Sequence, residues 1–230
     1  VPGAELAYRV HDLAPSAETL VVVNCAGRTR SIIGAQSLVN AGIPNTVMAL
    51  RNGTMGWELA GYETERGMER RALEISDDGL VKAKAVADRV GQRFGVETID
   101  TAILQTWRGE AGERTLYMFD VRNPEEYAAG HMPGSVSAPG GQLVQATDKY
   151  AATRNARIVL IDDNGVRATM TASWMIQMGW RDTVVLDGGL SSGSLATGPH
   201  TAQIMGDRDA RLVSSDTLES WLAAGDVTVV

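Results

Sequence analysis

Leu20 to Val23 is a short apolar, mostly β-branched run, and it is followed by a polar stretch, Asn24-Cys25-Ala26-Gly27-Arg28-Thr29-Arg30. From Ser31 onward apolar residues recur at helical spacing: Ile32, Ile33, Ala35, Leu38 and Val39. This change of period predicts a buried strand, a tight loop and a helix starting at Ser31. Leu116 to Phe119 predicts a second buried strand, and Val159 to Ile161 a third that also runs into a polar turn, Asp162 to Arg167. Ile103, Leu104 and Trp107 punctuate the polar stretch 98–109, which reads as a short opening helix. Leu80, Ala83, Ala87, Val90 and Phe94 predict an amphipathic helix over 80–94, with Asp77-Asp78-Gly79 as its start signal and Gly95 as its stop. Alternation of strand, loop and helix with β-branched runs indicates an α/β fold built on parallel sheets.

The pattern repeats. Val21–Val23, Cys25 and Arg30 match Val159–Ile161, Asp162 and Arg167, and AQSLVNAGIPNTV (35–47) matches TASWMIQMGWRDTV (171–184). The interval from Cys25 to Gly42 equals that from Asp162 to Gly179, 17 residues. LRNG at 50–53 pairs with LDGG at 186–189, one residue out of step, and VPGA at 1–4 pairs with MPGS at 132–135. A third, partial copy lies at 213–230, which aligns with 99–119 and sets Trp221 on Trp107. The expected organisation is a first unit over 1–67 without its opening part and a linker with the amphipathic helix over 68–97. A second unit over 98–192, a Gly/Ser/Thr-rich linker over 193–210 and the opening segment of a further unit over 211–230 complete it. An interior strand slot left open exposes unpaired backbone groups. Residues 211–230 are therefore expected to complete the first unit, in cis or by self-association with a neighbouring molecule. Val1 rather than Met opens the sequence, which reads as a fragment. The stretch 63–75, ETERGMERRALEI, is charge-dense and expected at the surface.

Composition narrows the function classes. Apolar content of 44% and charged content of 21% are those of a soluble globular protein. A formal charge of −7 argues against nucleic-acid and anionic-membrane partners. No apolar run approaches the roughly 20 residues of a membrane span, and no signal-peptide pattern follows Val1; a cytoplasmic location is the expectation, although a sequence that does not open on Met gives no reading of the compartment. One cysteine excludes an intrachain disulfide and a Cys-based zinc site, and the three histidines (His11, His131, His200) are scattered.

Cys25 carries the candidate chemistry. Backbone N–H groups at a helix N-terminus lack intrahelical partners, and the helix dipole adds positive potential there. A loop over such an end makes an anion nest. A thiol in it, flanked by Arg28 and Arg30, is expected to ionise easily and react at neutral pH; the alternative is a small, inert core cysteine.

C-A-G-R-T-R-S after VVVN resembles the active-site loop of the rhodanese-type sulfurtransferases, six residues from Cys25 to Arg30. DVRNPEEYAAGHMPGS at 120–135 resembles the family segment D-x-R…E-[YF]-x-x-G-H-[IM]-P-G-[AS]. The resemblance implies repeated rhodanese-like domains, each a small parallel sheet of about five strands flanked by helices. It implies that Cys25 takes up a sulfane sulfur as a persulfide while Ala26, Gly27, Arg28, Thr29, Arg30 and Ser31 hold the substrate anion. The donor would be thiosulfate or another anionic sulfur compound, the acceptor cyanide, a small thiol or a protein thiol, with no cofactor. Asp162 stands where the second loop would need cysteine, so that unit should be silent, with Arg167 the counterpart of Arg30 and the Asp162 charge keeping the loop ordered. Asp120, Arg122, Glu126 and His131 are expected to be structural, and Trp57, in a G-x-x-x-W ending, to pack in the core. One departure is that Gly27 lies two residues after Cys25, where many family loops place glycine at the third. Two other readings remain: a rhodanese-like binding or regulatory module without turnover, and a phosphatase or arsenate reductase of the same fold. The last needs a seven-residue loop with arginine at position 31, which is Ser31.

Overall fold

The computed structural model describes residues 3–67, 74–192, 194–201, 211–225 and 227–229. The chain divides into two compact units, Val1–His200 and Thr201–Val230. In the first, a 3-10 turn (Gly3–Glu5) leads into α1 (Leu6–Leu13), β1 (Val21–Val23), α2 (Thr29–Ala41), β2 (Val47–Ala49) and α3 (Gly53–Leu59). Helix α4 (Asp77–Phe94) then connects to β3 (Glu97–Ile99), α5 (Thr101–Gly109), β4 (Leu116–Asp120), α6 (Pro124–Ala129) and β5 (Val136–Ser137). The unit closes with α7 (Gly140–Gln145), α8 (Thr147–Tyr150), β6 (Arg157–Ile161), α9 (Val166–Gln177) and β7 (Thr183–Leu186). In the second unit α10 (Ser215–Ala224) is capped by Ser214, whose hydroxyl accepts from the Thr217 N–H. No helix among the described residues is long and apolar enough to cross a membrane. Residues 68–73 of the charge-dense stretch, and 193 and 202–210 of the second linker, lie outside the described residues, as do Val1 and Pro2 of the repeat.

Helix boundaries follow their caps. The Ser76 hydroxyl accepts from the Gly79 N–H at 3.0 Å and is itself held by the Asp12 carboxylate at 2.7 Å, so α4 begins at Asp77, ahead of its first apolar position. Two acidic residues in its first turn suit the dipole, and Gly95 at φ +66° ends it. Asp100 caps α5 by accepting from the Ile103 N–H at 2.8 Å, and this moves the expected opening helix. Thr98 and Ile99, assigned to that helix from the sequence, instead belong to β3, which pairs with β7. Likewise α2 starts at Thr29, two residues before Ser31.

Five parallel strands in the order β3-β7-β6-β4-β5 form the sheet of the second copy. Its central strand is buried on both faces. Ile158 and Leu160 pack with Phe119, Ala168, Ala172 and Met175, while Val159 and Ile161 pack with Ile99, Leu104 and Met118. A strand covered on both sides reads as a continuous apolar run, which is why RIVLI shows no alternation. The first copy has the parallel pair β1-β2.

Register corrects the alignment of the copies. Val21 pairs with Val47 as Ile158 pairs with Thr183, so Val21 is level with Ile158, not Val159. The extra residue falls in the turn 43–46, opposite 180–182, and this brings LRNG into step with LDGG. Asn52 and Gly53 (φ +58° and +59°) then repeat the left-handed backbone of Gly188 and Gly189 (φ +69° and +47°). Val22 and Met48 are 51% and 53% exposed where their counterparts Val159 and Val184 are 0% and 6% exposed, because α5 covers only the second sheet.

Helix α4 binds the copies together. Val86 and Val90 pack with Ala7, Ala41 and Met170, and Ala83 and Ala87 pack with Tyr8 and Val166. The Trp174 indole N–H donates to the Ser37 hydroxyl at 2.7 Å across the same seam.

Candidate active site

Cys25 opens the loop between β1 and α2 and is half-buried. The carbonyls of this loop turn away from the thiol. Cys25 C=O accepts from the Thr54 N–H at 2.9 Å, and Ala26 C=O from the Met55 N–H at 3.0 Å. Those two N–H groups belong to the first turn of α3, where they have no intrahelical partner. Gly53, with φ +59°, makes this approach possible: a Cβ there would lie 2.1 Å from the Cys25 carbonyl oxygen. With the loop carbonyls engaged behind it, the sulfur has the Ser31 hydroxyl as its hydrogen-bond partner. The Ser31 hydroxyl lies 3.4 Å from Cys25 Sγ and 3.0 Å from the Arg28 carbonyl. Burial alone would raise the thiol's pKa. The Ser31 hydroxyl, the Ser31 and Gly27 N–H groups and the Arg30 charge outweigh it and hold the value below that of an ordinary cysteine. Such an arrangement favours the thiolate more than an ordinary cysteine's surroundings do.

The second loop also joins a strand to a helix but has the opposite character, with Gly165 at φ +84° where Arg28 has φ −132°. Asp162 is 1% exposed, and its carboxylate accepts from the N–H groups of Asn164 (3.3 Å), Gly165 (2.6 Å) and Ala168 (3.1 Å). The nest is thus filled by the loop's own side chain. Burial nevertheless pushes the Asp162 carboxyl above its ordinary pKa, against the pull of the Ala168 and Gly165 N–H groups. Arg167, 1% exposed, reaches Glu5 (2.8 Å), Glu126 (2.7 and 2.9 Å) and Asp163 (2.9 Å), and its guanidinium lies 5.0 Å from the Tyr8 ring centre. Burial by itself would favour neutral arginine, but Glu126 and Asp163 raise its pKa instead. Glu5 also accepts from Arg9 at 2.6 Å and Asn123 at 2.7 Å. The 3-10 turn and α1 of the first copy, through Glu5 and Tyr8, therefore seal the second loop.

The expected structural residues of 120–135 are engaged as such. Arg122 is bound by both oxygens of the fully buried Asp120 (2.6–3.2 Å) and donates to the Gly130 carbonyl at 2.6 Å. Glu126 closes a capping box on Asn123 besides holding Arg167. His131 stacks on Tyr127 at 3.8 Å, with Nδ1 2.9 Å from the Tyr127 carbonyl.

The chain is similar to several known proteins. A family model described as "Rhodanese-like domain" matches residues 103–196, the second copy. The thiosulfate sulfurtransferase GlpE of Pseudomonas paraeruginosa is 32% identical over 77 residues, which cover 34% of this chain and 68% of that protein. The chain belongs to the rhodanese family. The crystal structure of a thiosulfate sulfurtransferase from Pseudomonas aeruginosa is similar over 97% of this chain and 42% of that one, with 55% identity and a TM-score of 0.81. A tRNA uridine(34) hydroxylase of Buchnera aphidicola is 29% identical over 116 residues, 48% of this chain and 36% of that protein. The chain thus spans well under half the length of these last two proteins.

Within the rhodanese frame, the arginines of the Cys25 loop diverge. Arg30 lines a cavity of about 420 Å³ between the copies, with Ile33, Gly34, Pro139, Met170 and Trp174 among its walls. Its guanidinium, unlike that of Arg167, bonds to no described residue. Arg28 lines a second recess of about 380 Å³ with Ile32, Ala49, Leu50, Arg51 and Asn52. Ala26 and Thr29 lie exposed on the same loop. Arg51 is the residue that pattern reading passes over, because LRNG looks like a turn; the register, which sets it on Asp187, is the signal that finds it. Trp57 differs from expectation. It is 41% exposed, its ring 4.6 Å from that of Tyr62, and its indole N–H donates to the Glu63 carbonyl at 2.9 Å, so it fastens the chain after α3 and does not enter the core.

Proposed function

We propose that the chain is a sulfurtransferase that moves a sulfane sulfur from thiosulfate to cyanide or a thiol through a persulfide on Cys25. The observation that carries this reading is Cys25 Sγ lying 3.4 Å from the Ser31 hydroxyl, in a loop at the head of α2 whose carbonyls are tied to α3. In the first half-reaction the thiolate attacks the outer sulfur of thiosulfate. A new S–S bond forms at Cys25, the donor's S–S bond breaks, and sulfite leaves with the electron pair. Loop N–H groups and Arg30 stabilise the charge on the transferred sulfur and the departing anion. In the second half-reaction the acceptor attacks the terminal sulfur and Cys25 regains its electron pair as thiolate. The second copy has no such role: a buried carboxylate at position 162 has no sulfur to give or take.

Thiocyanate formation from thiosulfate and cyanide tests this directly. Turnover is expected in the wild type and absent in Cys25→Ser. Turnover that survives in Cys25→Ser, or hydrolysis of p-nitrophenyl phosphate in place of sulfur transfer, would overturn it.

A further inference from the structure

The two copies carry the same backbone at the end of β2 and β7, and opposite charge on it. Arg51 occupies the position of Asp187, and Arg28 that of Gly165. Both added arginines belong to the copy with the cysteine, and both line the same recess beside the Cys25 loop. Among the described residues neither guanidinium has a hydrogen-bond or ion-pair partner. Two unpaired like charges facing one concavity repel each other, and a fold gains nothing from that; an anion between them removes the cost. The recess, at about 380 Å³, falls in the range of small-molecule sites (about 300–1,000 Å³). It is larger than the five-atom thiosulfate needs, and Ile32, Ala49 and Leu50 give it an apolar side.

We propose that Arg28 and Arg51 form the specificity site for the sulfur acceptor, and that this acceptor is a small thiol bearing carboxylate groups. The inference rests on the Cys25 persulfide reading above. The acceptor's carboxylates dock on the two guanidiniums, its methylene groups lie against Ile32 and Leu50, and its thiolate attacks the terminal sulfur of the persulfide. The Cys25 S–S bond breaks, the product leaves as an alkyl persulfide, and Cys25 keeps the electron pair. Arg51 is a specificity-determining residue here, since it touches the acceptor and not the transferred sulfur.

Three thiols of graded charge test it with thiosulfate as donor: mercaptosuccinate (two carboxylates), 2-mercaptoethanol (uncharged) and cysteamine (cationic). In the wild type kcat/KM is expected to fall in that order. Arg51→Asp, which installs the residue of the silent copy, should cut the mercaptosuccinate-to-cysteamine ratio at least about tenfold, the scale of one lost charge-assisted contact. The change should lie in KM for mercaptosuccinate, and Arg51→Lys should keep most of the preference. An unchanged ratio in Arg51→Asp, with an unchanged urea midpoint, would overturn the proposal. So would a loss confined to sulfur loading from thiosulfate, which would make the recess a donor site. A second readout needs no sulfur transfer: the ratio of Cys25 alkylation rates by iodoacetate and iodoacetamide. If that ratio depends on Arg51 but the wild type never loads sulfur, the persulfide reading fails and the anion recess stands. If loading succeeds and neither ratio depends on Arg51, the recess fails alone.

Discussion

Arg167 ties the Asp162 loop to the first copy, and replacing it with methionine measures that tie. Methionine keeps much of the side-chain volume and removes four charge-assisted hydrogen bonds, one to Glu5, two to Glu126 and one to Asp163. Breaking a buried ion pair from one side typically costs about 3–5 kcal/mol, because the remaining charge is stranded. The partners differ in how stranded they become. Glu126 and Asp163 side chains are 35% and 40% exposed and regain water, so their share is small. The Glu5 side chain is 4% exposed but keeps Arg9 and Asn123. The low end, about 3 kcal/mol, is therefore expected, read as a lower urea midpoint followed by tryptophan fluorescence. Adding Glu5→Gln to Arg167→Met should cost less than the sum of the two changes, since no charge is then left alone. Acid should also act differently on the two proteins. Burial tends to raise the Glu126 pKa, but Arg167 outweighs it and holds the carboxyl below the ordinary glutamate range. The stability from that pair is present above about pH 4.3, the ordinary value, and is lost as pH falls through the depressed one. The wild type should thus lose its advantage over Arg167→Met in that acid window. A midpoint within about 0.5 kcal/mol of wild type at neutral pH would refute the docking role of the buried cluster.

Three further outcomes follow from the same geometry. Ser31→Ala removes a hydroxyl 3.4 Å from Cys25 Sγ and should raise the thiol's pKa; alkylation by iodoacetamide at neutral pH should slow about five- to tenfold and recover at high pH. A chain with Cys25→Ser and Asp162→Cys has one thiol, in a nest closed by α1; it should resist alkylation and sulfur loading, and loading as fast as at Cys25 would contradict the sealed-loop reading. The expectation that residues 211–230 complete the first copy is tested by gel filtration and urea unfolding of a chain ending at residue 210. Fewer protomers per particle or a lower urea midpoint would support it, and no change in either would count against it.

Much of this was legible in the chain. The change of hydrophobic period around Cys25, and its recurrence around Asp162, located both loops, because a buried strand meeting a helix leaves little freedom in the residues between. The ends of α4 were nearly as plain, in Asp77-Asp78-Gly79 and Gly95, although its cap, Ser76, lies one residue before that signal. Strand β3 was not, since Glu97-Thr98-Ile99 has one buried residue and its pairing with β7 is settled about 87 residues away. The docking of Glu5 and Tyr8 on the second loop was hidden for the same reason: the Glu5–Arg167 contact spans 162 residues and follows from no local pattern. Arg51 was masked by a one-residue insertion between Gly42 and Val47, which only the strand register removes.

The central claim is that Cys25 carries sulfur. Intact mass after incubation with thiosulfate, for the wild type and for Cys25→Ser, tests it most directly. A gain of one sulfur atom in the wild type, removed by cyanide and absent in the variant, is the predicted result. No gain in the wild type, or an equal gain in both proteins, would contradict it.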